Sequence, residues 1–409
     1  MIYEQGRYKW IILLIATLAQ MCATFVTYGM GPLATFYQKE HNLSHFETGL
    51  IVSAVNIGPI FSMIIFGNLM DKYGEKWIVG IGAILLGLNV FVVNLTNNYF
   101  LFLGILTLVG IWYGTAQPGG SSAIVKWFPK KHRGVAMGIR QTGIPVGGAL
   151  ASGILPFFYY KSGLSSAIIV QGTLTIIGGL VFLLFYKDLK ITKDKESNYT
   201  FMTKIKIIKN NHELYPIFFV GGIMVSLQLI IVAHLMNFFS NSLNINLSSS
   251  GLLLSISLLG GMLGRIILAW LSDTIFKGNR SVPLQLTMWV TVIFIILLAI
   301  FSSYLPFWAN GILSFFIGFL GMGWFSLFIV LVSEKSNKNF ISLTVSVALT
   351  INQFFIVIAP SLFGILIDIF KGYKVPLFLL AILICIGNIW LRVSESTKEN
   401  KLSHTDLSN

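Results

Sequence analysis

Two arginines, Arg140 and Arg265, lie well inside long apolar stretches of this 409-residue chain, and no aspartate or glutamate lies comparably deep. A guanidinium keeps its proton under all ordinary conditions, so each is a fixed positive charge. Left unpaired at membrane depth, such a charge is costly and tends to face a cavity, a partner or a pathway. With no acid to neutralise the two, the expected missing partner is an anionic ligand. At 1.5 Å rise per residue, Arg140 lies about 9 Å beyond Gly134 and Arg265 about 12 Å before Asp273. A second reading stays open for each. Arg140 can snorkel back to the headgroups or pack structurally, and Arg265 can be structural.

Polar residues recur at helical spacing around these charges. Gln20, Thr24 and Tyr28 follow one another at i, i+4, i+8; Tyr113 and Gln117 at i, i+4; Ser346, Thr350 and Gln353 share a stripe to which Asn352 adds an amide. Such stripes line a cavity or join helices to one another. The candidate substrate-binding set is therefore Arg265, Arg140, Tyr28, Gln141, Tyr113, Gln117, Asn352 and Gln353, with Trp324 to cover an apolar part of the ligand or to pack. His234 is the one histidine inside an apolar stretch. Its ordinary pKa makes it a candidate for proton coupling, against a structural donor role.

The elements that must hold these residues are membrane helices. Hydrophobic residues make up 55% of the chain and charged residues 11%, far below the roughly 25% charged fraction of soluble domains. Twelve spans are expected, at 10–36, 46–69, 77–96, 99–125, 134–158, 164–186, 214–240, 248–272, 283–303, 307–332, 341–368 and 374–392. The first is read as an uncleaved span rather than a signal peptide. Cys22 and Cys385 fall inside apolar runs and read as small buried hydrophobes. Neither a metal site nor a cofactor is expected.

Twelve spans put both termini on one side. Taking that side as cytoplasmic places twenty-two lysines and arginines inside, seven of them between 187 and 213, and leaves only Lys39, Lys161, Lys371 and Lys374 outside. The positive-inside rule fixes this orientation. The net charge of +13 thus reports topology, and its spread over short loops excludes a nucleic-acid-binding domain. The expected organisation is a six-helix bundle at 1–187, a polar cytoplasmic linker at 188–213, a second bundle at 214–393 and a cytoplasmic tail at 394–409.

The halves repeat one another. GNLMDKYGEK, from Gly67 to Lys76, follows the second span, and AWLSDTIFKGNR, from Ala269 to Arg280, follows the eighth. Gly153-Ile154-Leu155 in span five is matched by Gly364-Ile365-Leu366 in span eleven. Parallel repeats imply two bundles related by an axis along the membrane normal, with a site near the midplane. The loop residues Gly67, Asp71, Lys72 and Gly74, with Asp273, are read as gating residues, the aspartates pairing with helix termini or bases.

The Gly67-Leu69-Asp71-Lys72-Gly74 pattern resembles the signature loop of the major facilitator superfamily, departing from it at Glu75, where a basic residue is usual. Trp127 to Gly143 resembles that family's fifth span and the loop before it, and Gly264 to Asp273 its eighth. Arg265 eight residues before Asp273, the Ala-His-Leu around His234 and the TYGMGPLATFY end of span one are closest in look to the monocarboxylate, oxalate:formate and anion:cation symporter branches. The resemblance implies an all-α fold of two pseudo-symmetric bundles. It implies that Arg265 binds a substrate carboxylate, and that spans five and eight meet so that the two guanidiniums converge. Span eleven carries no lysine, unlike the oxalate:formate type. The expected protein is a monomeric secondary transporter in a cell membrane, of prokaryotic plasma-membrane type. It moves a small organic anion with protons or against a counter-anion. A drug or amphiphile exporter of the same fold is the alternative. A membrane enzyme would need an intramembrane His/Asp/Glu constellation, and a sensor a soluble output domain.

Overall fold

A computed structural model describes residues 6–43, 45–96, 98–189 and 199–406. The described residues are helical throughout, without strands, and twelve helices are long and apolar enough to cross a membrane. Spans one to six are Tyr8–Gln38, Glu47–Tyr73, Glu75–Leu95, Tyr99–Trp127, Lys130–Ser162 and Leu164–Phe185. Spans seven to twelve are Leu214–Ser242, Ser249–Thr274, Ser281–Phe301, Phe307–Lys335, Ile341–Phe370 and Lys374–Ser396. Part of the expected linker, 190–198, lies outside the described residues, as does 407–409 of the tail. The rest of the linker includes a short helix, Phe201–Asn210.

Span five starts earlier than its hydropathy suggests. Pro129 is extended, with φ −64° and ψ 155°, and the helix begins directly after it. Proline is tolerated at a helix start because its missing N–H would be unsatisfied there anyway. Lys130, Lys131 and Arg133 thus occupy helical turns rather than a loop.

Two spans are interrupted, each for the same local reason. Span four runs as Tyr99–Tyr113 and Ala116–Trp127, and span five as Lys130–Gln141 and Gly143–Ser162. Pro118 and Pro145 stand three residues into the second segments. A proline there donates no hydrogen bond and crowds the carbonyl four residues back, at Gly114 and Gln141. Both breaks fall beside Arg140, which stands in the last turn of the first segment of span five.

The spans group into two compact units that do not follow the sequence halves. Unit 1 holds 1–129, 139–201 and 336–353; unit 2 holds 130–138, 202–335 and 354–409. The opening turns of span five therefore group with unit 2, and those of span eleven with unit 1.

Unit 1 packs around Phe25, Val26 and Leu33 of span one, Ile51 and Val55 of span two, Leu86 and Val90 of span three, and Leu106 and Val109 of span four. Spans two and four touch backbone to backbone: a Cβ on Gly110 would lie 2.1 Å from the Val55 carbonyl oxygen. Unit 2 repeats this between spans eight and ten, where a Cβ on Gly318 would lie 1.8 Å from the Ser257 carbonyl oxygen. Without a hydrophobic drive between helices in lipid, such close approach is a main source of packing energy.

Candidate functional site

Arg140 is fully buried within the protein. Its Nη2 donates to Gln20 Oε1 at 2.7 Å and to the Ala116 and Gln117 carbonyls at 2.9 and 3.1 Å. Its Nη1 donates to Ser121 Oγ at 3.0 Å and to Gln117 Oε1 at 3.5 Å. All of these acceptors are neutral. The guanidinium also stands in the last turn of Lys130–Gln141, where the helix dipole favours a cation. The snorkelling reading is thereby set aside, and spans one and four hold the charge in place.

Around it, unit 1 gathers other polar groups. The Tyr113 phenol faces Gln20, Thr27, Tyr28 and Arg140. Tyr28 is half exposed and its ring lies against Gly148. Gln20 Nε2, Thr27 Oγ1, Thr350 Oγ1 and both amide atoms of Asn352 are buried without a hydrogen-bond partner. Buried polar atoms are nearly always partnered, so an unpartnered set marks a place where water or a ligand belongs. Gln141 is buried, and Gln353 instead donates to the Asn56 carbonyl at 3.1 Å, tying the start of span eleven to span two. Two glycines of span five face span one: Cβ atoms on Gly143 and Gly147 would meet the Thr17 and Met21 carbonyls at 2.8 and 2.4 Å.

In unit 2, Arg265 is 4% exposed and its Nε donates to the Met322 carbonyl of span ten at 3.4 Å. Gly138 packs on its backbone, with a Cβ there only 2.4 Å from the Arg265 carbonyl oxygen. Trp324 is fully buried against Phe325 and Phe328, its indole Nε1 without a partner. Its packing is that of a core residue. His234 Nε2 lies 2.9 Å from the Pro360 carbonyl oxygen, and the ring stands 5.4 Å from that of Phe363. A carbonyl only accepts, so Nε2 carries the hydrogen. Apolar side chains, among them Leu227, Ile230 and Ile231, line a small crevice of about 30 Å³ beside it.

The loop aspartates close over helix starts. Asp71 accepts from the backbone amides of Ser342 and Leu343 at 3.0 and 2.8 Å, in the first turn of span eleven. Asp273 accepts from Gly134 and Val135 at 3.2 and 2.8 Å, in the opening turns of span five. Asp71 thus supplies acceptors to orphan amides at the positive end of its helix, whereas Asp273 reaches the fifth and sixth residues of the helix that starts at Lys130. Gly74 adopts φ +91°, and a Cβ there would meet Asp188 Oδ2 at 2.4 Å, so the turn between spans two and three requires glycine. Lys72 is exposed, its ammonium 4.8 Å from the Tyr73 ring centre.

The expectation of no buried acid needs correction at the span ends. Glu75 is 1% exposed and Asp273 4%, and Asp71 is nearly as buried. These acids are held by bases, hydroxyls and amides of their own surroundings. Glu75 pairs with Lys126 and accepts from Ser122 Oγ at 2.7 Å. Asp273 pairs with Arg280, which also donates to the Lys130 carbonyl at 2.6 Å. Sequence reading missed the ion pairs Glu75–Lys126 in unit 1 and Arg280–Glu334 in unit 2. The signal was the repeat itself, carried through to the ends of spans four and ten.

The Major Facilitator Superfamily profile matches residues 16–360. The chain belongs to that superfamily. Among curated relatives, an uncharacterised MFS-type transporter of Mycobacterium tuberculosis (strain ATCC 25618 / H37Rv) is 26% identical over 246 residues, covering 60% of this chain and 53% of the relative. A probable sulfoacetate transporter of Cupriavidus necator is 26% identical over 167 residues, covering 41% and 38%. The hexuronate transporter of Escherichia coli K12 is 24% identical over 207 residues, covering 47% and 45%. The chain thus spans about half the length of these curated relatives or less. The fold matches a crystal structure of the E. coli fucose:proton symporter with a TM-score of 0.73 at 16% identity, over 92% of this chain and 98% of that one. This member of the superfamily is a multi-pass membrane protein with a secondary-transporter fold, and its named relatives are transporters rather than enzymes.

Proposed function

We propose that this chain is a secondary active transporter that moves a small organic anion, a carboxylate, by alternating access. The observation that carries the reading is the Arg140 nest: a fully buried positive charge in unit 1 whose acceptors are all neutral. Neutral oxygens accept from its two terminal nitrogens, Nε has no partner, and the group keeps a net positive potential that in a low-dielectric bundle favours an anion and repels a cation. The unpartnered Gln20, Thr27 and Asn352 atoms supply donors and acceptors for a polar ligand. Arg265 supplies the bidentate carboxylate clamp that the family resemblance implies. The names of the sulfoacetate and hexuronate relatives support an acidic substrate class.

In this reading the two capping aspartates hold the lysine-rich, cytoplasmic end of the spans closed, and their release opens it. Spans one to six and seven to twelve act as the rocking halves on either side of the 188–213 linker. Protons or a counter-anion supply the energy, across a prokaryotic plasma membrane.

Proteoliposome uptake and exchange across a panel of labelled small carboxylates, inorganic anions and lipophilic cations tests the reading. The expected outcome is saturable carboxylate flux that Arg265→Gln and Arg140→Gln abolish. Flux of the best substrate that survives Arg265→Gln unchanged removes the clamp, and preference for lipophilic cations replaces the reading with an exporter of amphiphiles.

A further inference from the structure

Of the few cations expected outside, Lys371 and Lys374 stand together in the turn that joins spans eleven and twelve. A side kept poor in lysine and arginine has no general use for such a pair. Both line one cavity of unit 2, of about 370 Å³, at the ends of spans seven, nine, eleven and twelve. That volume lies in the range of ligand sites, roughly 300–1,000 Å³. None of the lining residues belongs to the candidate substrate set.

Three local features build the cavity. Span seven ends in a π turn, Phe238–Ser242, and both ends of that turn line the cavity. Such turns are rare and occur mostly at functional sites. Span eleven closes with Lys371 in the left-handed conformation, φ +54°, a place where glycine is usual. The Gly372 N–H returns to the Ile367 carbonyl at 3.1 Å, which fixes the turn that carries the lysine. Ser302 and Ser303 follow span nine. Ser302 is buried, and its carbonyl accepts from Asn310 Nδ2 at 3.0 Å.

The lining divides by chemistry. Ser242, Ser302, Ser303 and Tyr373 bring hydroxyls, the two lysines bring charge, and Phe238, Leu243 and Val375 bring apolar surface. No carboxylate lines the cavity, and among the described residues neither ammonium has an acid within ion-pair distance. Burial, and after it the Asp368 carboxylate, raise the Tyr373 pKa, so the phenol stays a donor. That single acid against two ammonium groups leaves the site positive. By contrast, the Lys161 ammonium at the end of span five lies over the Phe157 ring.

The cavity stands where lipid headgroups belong. Its walls are span ends, and the residues beyond Ser303 include the exposed aromatics Tyr304 and Trp308, the latter in the first turn of span ten. Tyrosine and tryptophan gather where hydrocarbon meets water. Phe301 and Phe370, also exposed, end spans nine and eleven beside it.

We propose that this cavity binds the headgroup of an anionic phospholipid. The phosphate lies between Lys371 and Lys374, the hydroxyls donate to its oxygens, and the first acyl carbons rest on Phe238, Leu243 and Val375. Ammonium groups hold phosphate as point charges. A net-anionic headgroup gains more from two of them than a zwitterionic one, whose own ammonium they repel. The bound lipid braces the ends of four spans.

The site is separate from that of the transported anion, so either reading can fail alone. The test uses the full-length protein with Cys22→Ser, Cys385→Ser and Ser302→Cys. It is placed in nanodiscs of phosphatidylcholine, alone or mixed in equal parts with phosphatidylglycerol. Labelling by methyl methanethiosulfonate is timed; the reagent is neutral, so membrane surface charge does not alter its local concentration. Ser303→Cys, exposed on the same lining, supplies a second thiol. Phosphatidylglycerol is expected to slow labelling about fivefold or more, the protection given by a ligand well above its Kd. Lys371→Gln with Lys374→Gln is expected to label equally in both lipids, whereas Lys371→Arg with Lys374→Arg keeps the protection. A control thiol at the exposed Ser162 of unit 1 is expected to be indifferent to lipid composition. Inorganic phosphate added to phosphatidylcholine discs is expected to protect little. Equal rates in both lipids at both thiols, protection that survives the glutamine pair, equal protection at Ser162→Cys, or inorganic phosphate protecting as well as the lipid overturns the proposal.

Discussion

Arg140 of span five donates to Gln20 Oε1 of span one across 2.7 Å, with both side chains buried. The bond fixes a cation in a place that no headgroup or carboxylate supplies. Arg140→Lys keeps the charge but cannot reach five acceptors at once, because an ammonium has three donors and no planar fork. Each buried acceptor left empty costs about 1–3 kcal/mol. The expected result is a folded protein with a clearly lower thermal midpoint and a raised KM for the anion. Arg140→Ala should lose more stability still. Thermal unfolding in detergent, read beside uptake kinetics, checks both.

The Asp273 cap should be worth more than the Asp71 cap. Asp71→Asn removes charged acceptors from two amides, and helix caps of this kind are worth about 0.5–2 kcal/mol. Asp273→Asn does the same and also takes from the buried Arg280 one of its two carboxylates, leaving Glu334, a loss of up to about 3–5 kcal/mol for buried pairs. Replacing both, Asp273→Asn with Arg280→Met, should recover part of that loss. A double-mutant cycle on unfolding temperatures measures the coupling, and additivity of the two substitutions would contradict the pairing.

The extent to which these features were legible depends on what kind of physics places them. Twelve spans follow from hydropathy because lipid requires each backbone to satisfy its own hydrogen bonds. The depth of Arg140 was also readable, since rise per residue sets it. Its partners were not, because the break that brings the Ala116 and Gln117 carboxamide and carbonyl groups to it arises from Pro118 and Pro145 acting on two separate helices. Glu75 was visible only as a departure from a pattern. Its burial depends on Lys126, Ser122 and Ser342, which are distant in sequence. Trp324 and Gln353 show the reverse error: polar-capable residues on a plausible stripe that the packing turns toward other helices.

Glycine positions give a packing test free of charge effects. Gly318→Ala would set a Cβ 1.8 Å from the Ser257 carbonyl oxygen, whereas Gly153→Ala meets nothing within 4 Å. The first must push spans eight and ten apart, at a cost of about 1–3 kcal/mol typical of overpacking. The second should be neutral or slightly stabilising, since alanine is the better helix former. Comparable unfolding temperatures for the two variants would show that the spans do not approach as described.

His234 presents one hydrogen to the Pro360 carbonyl, and the crevice beside it is lined by apolar side chains together with Tyr373. A donor role of that kind needs an N–H but not a titrating ring. Glutamine supplies such an N–H, so His234→Gln is expected to keep most of its transport activity and the full dependence of uptake on external pH. His234→Leu, which leaves the site without a donor, should lower the unfolding temperature while the pH profile of the residual flux keeps its shape. If instead His234→Gln flattens that profile, the ring itself carries the proton, and coupling then resides in span seven.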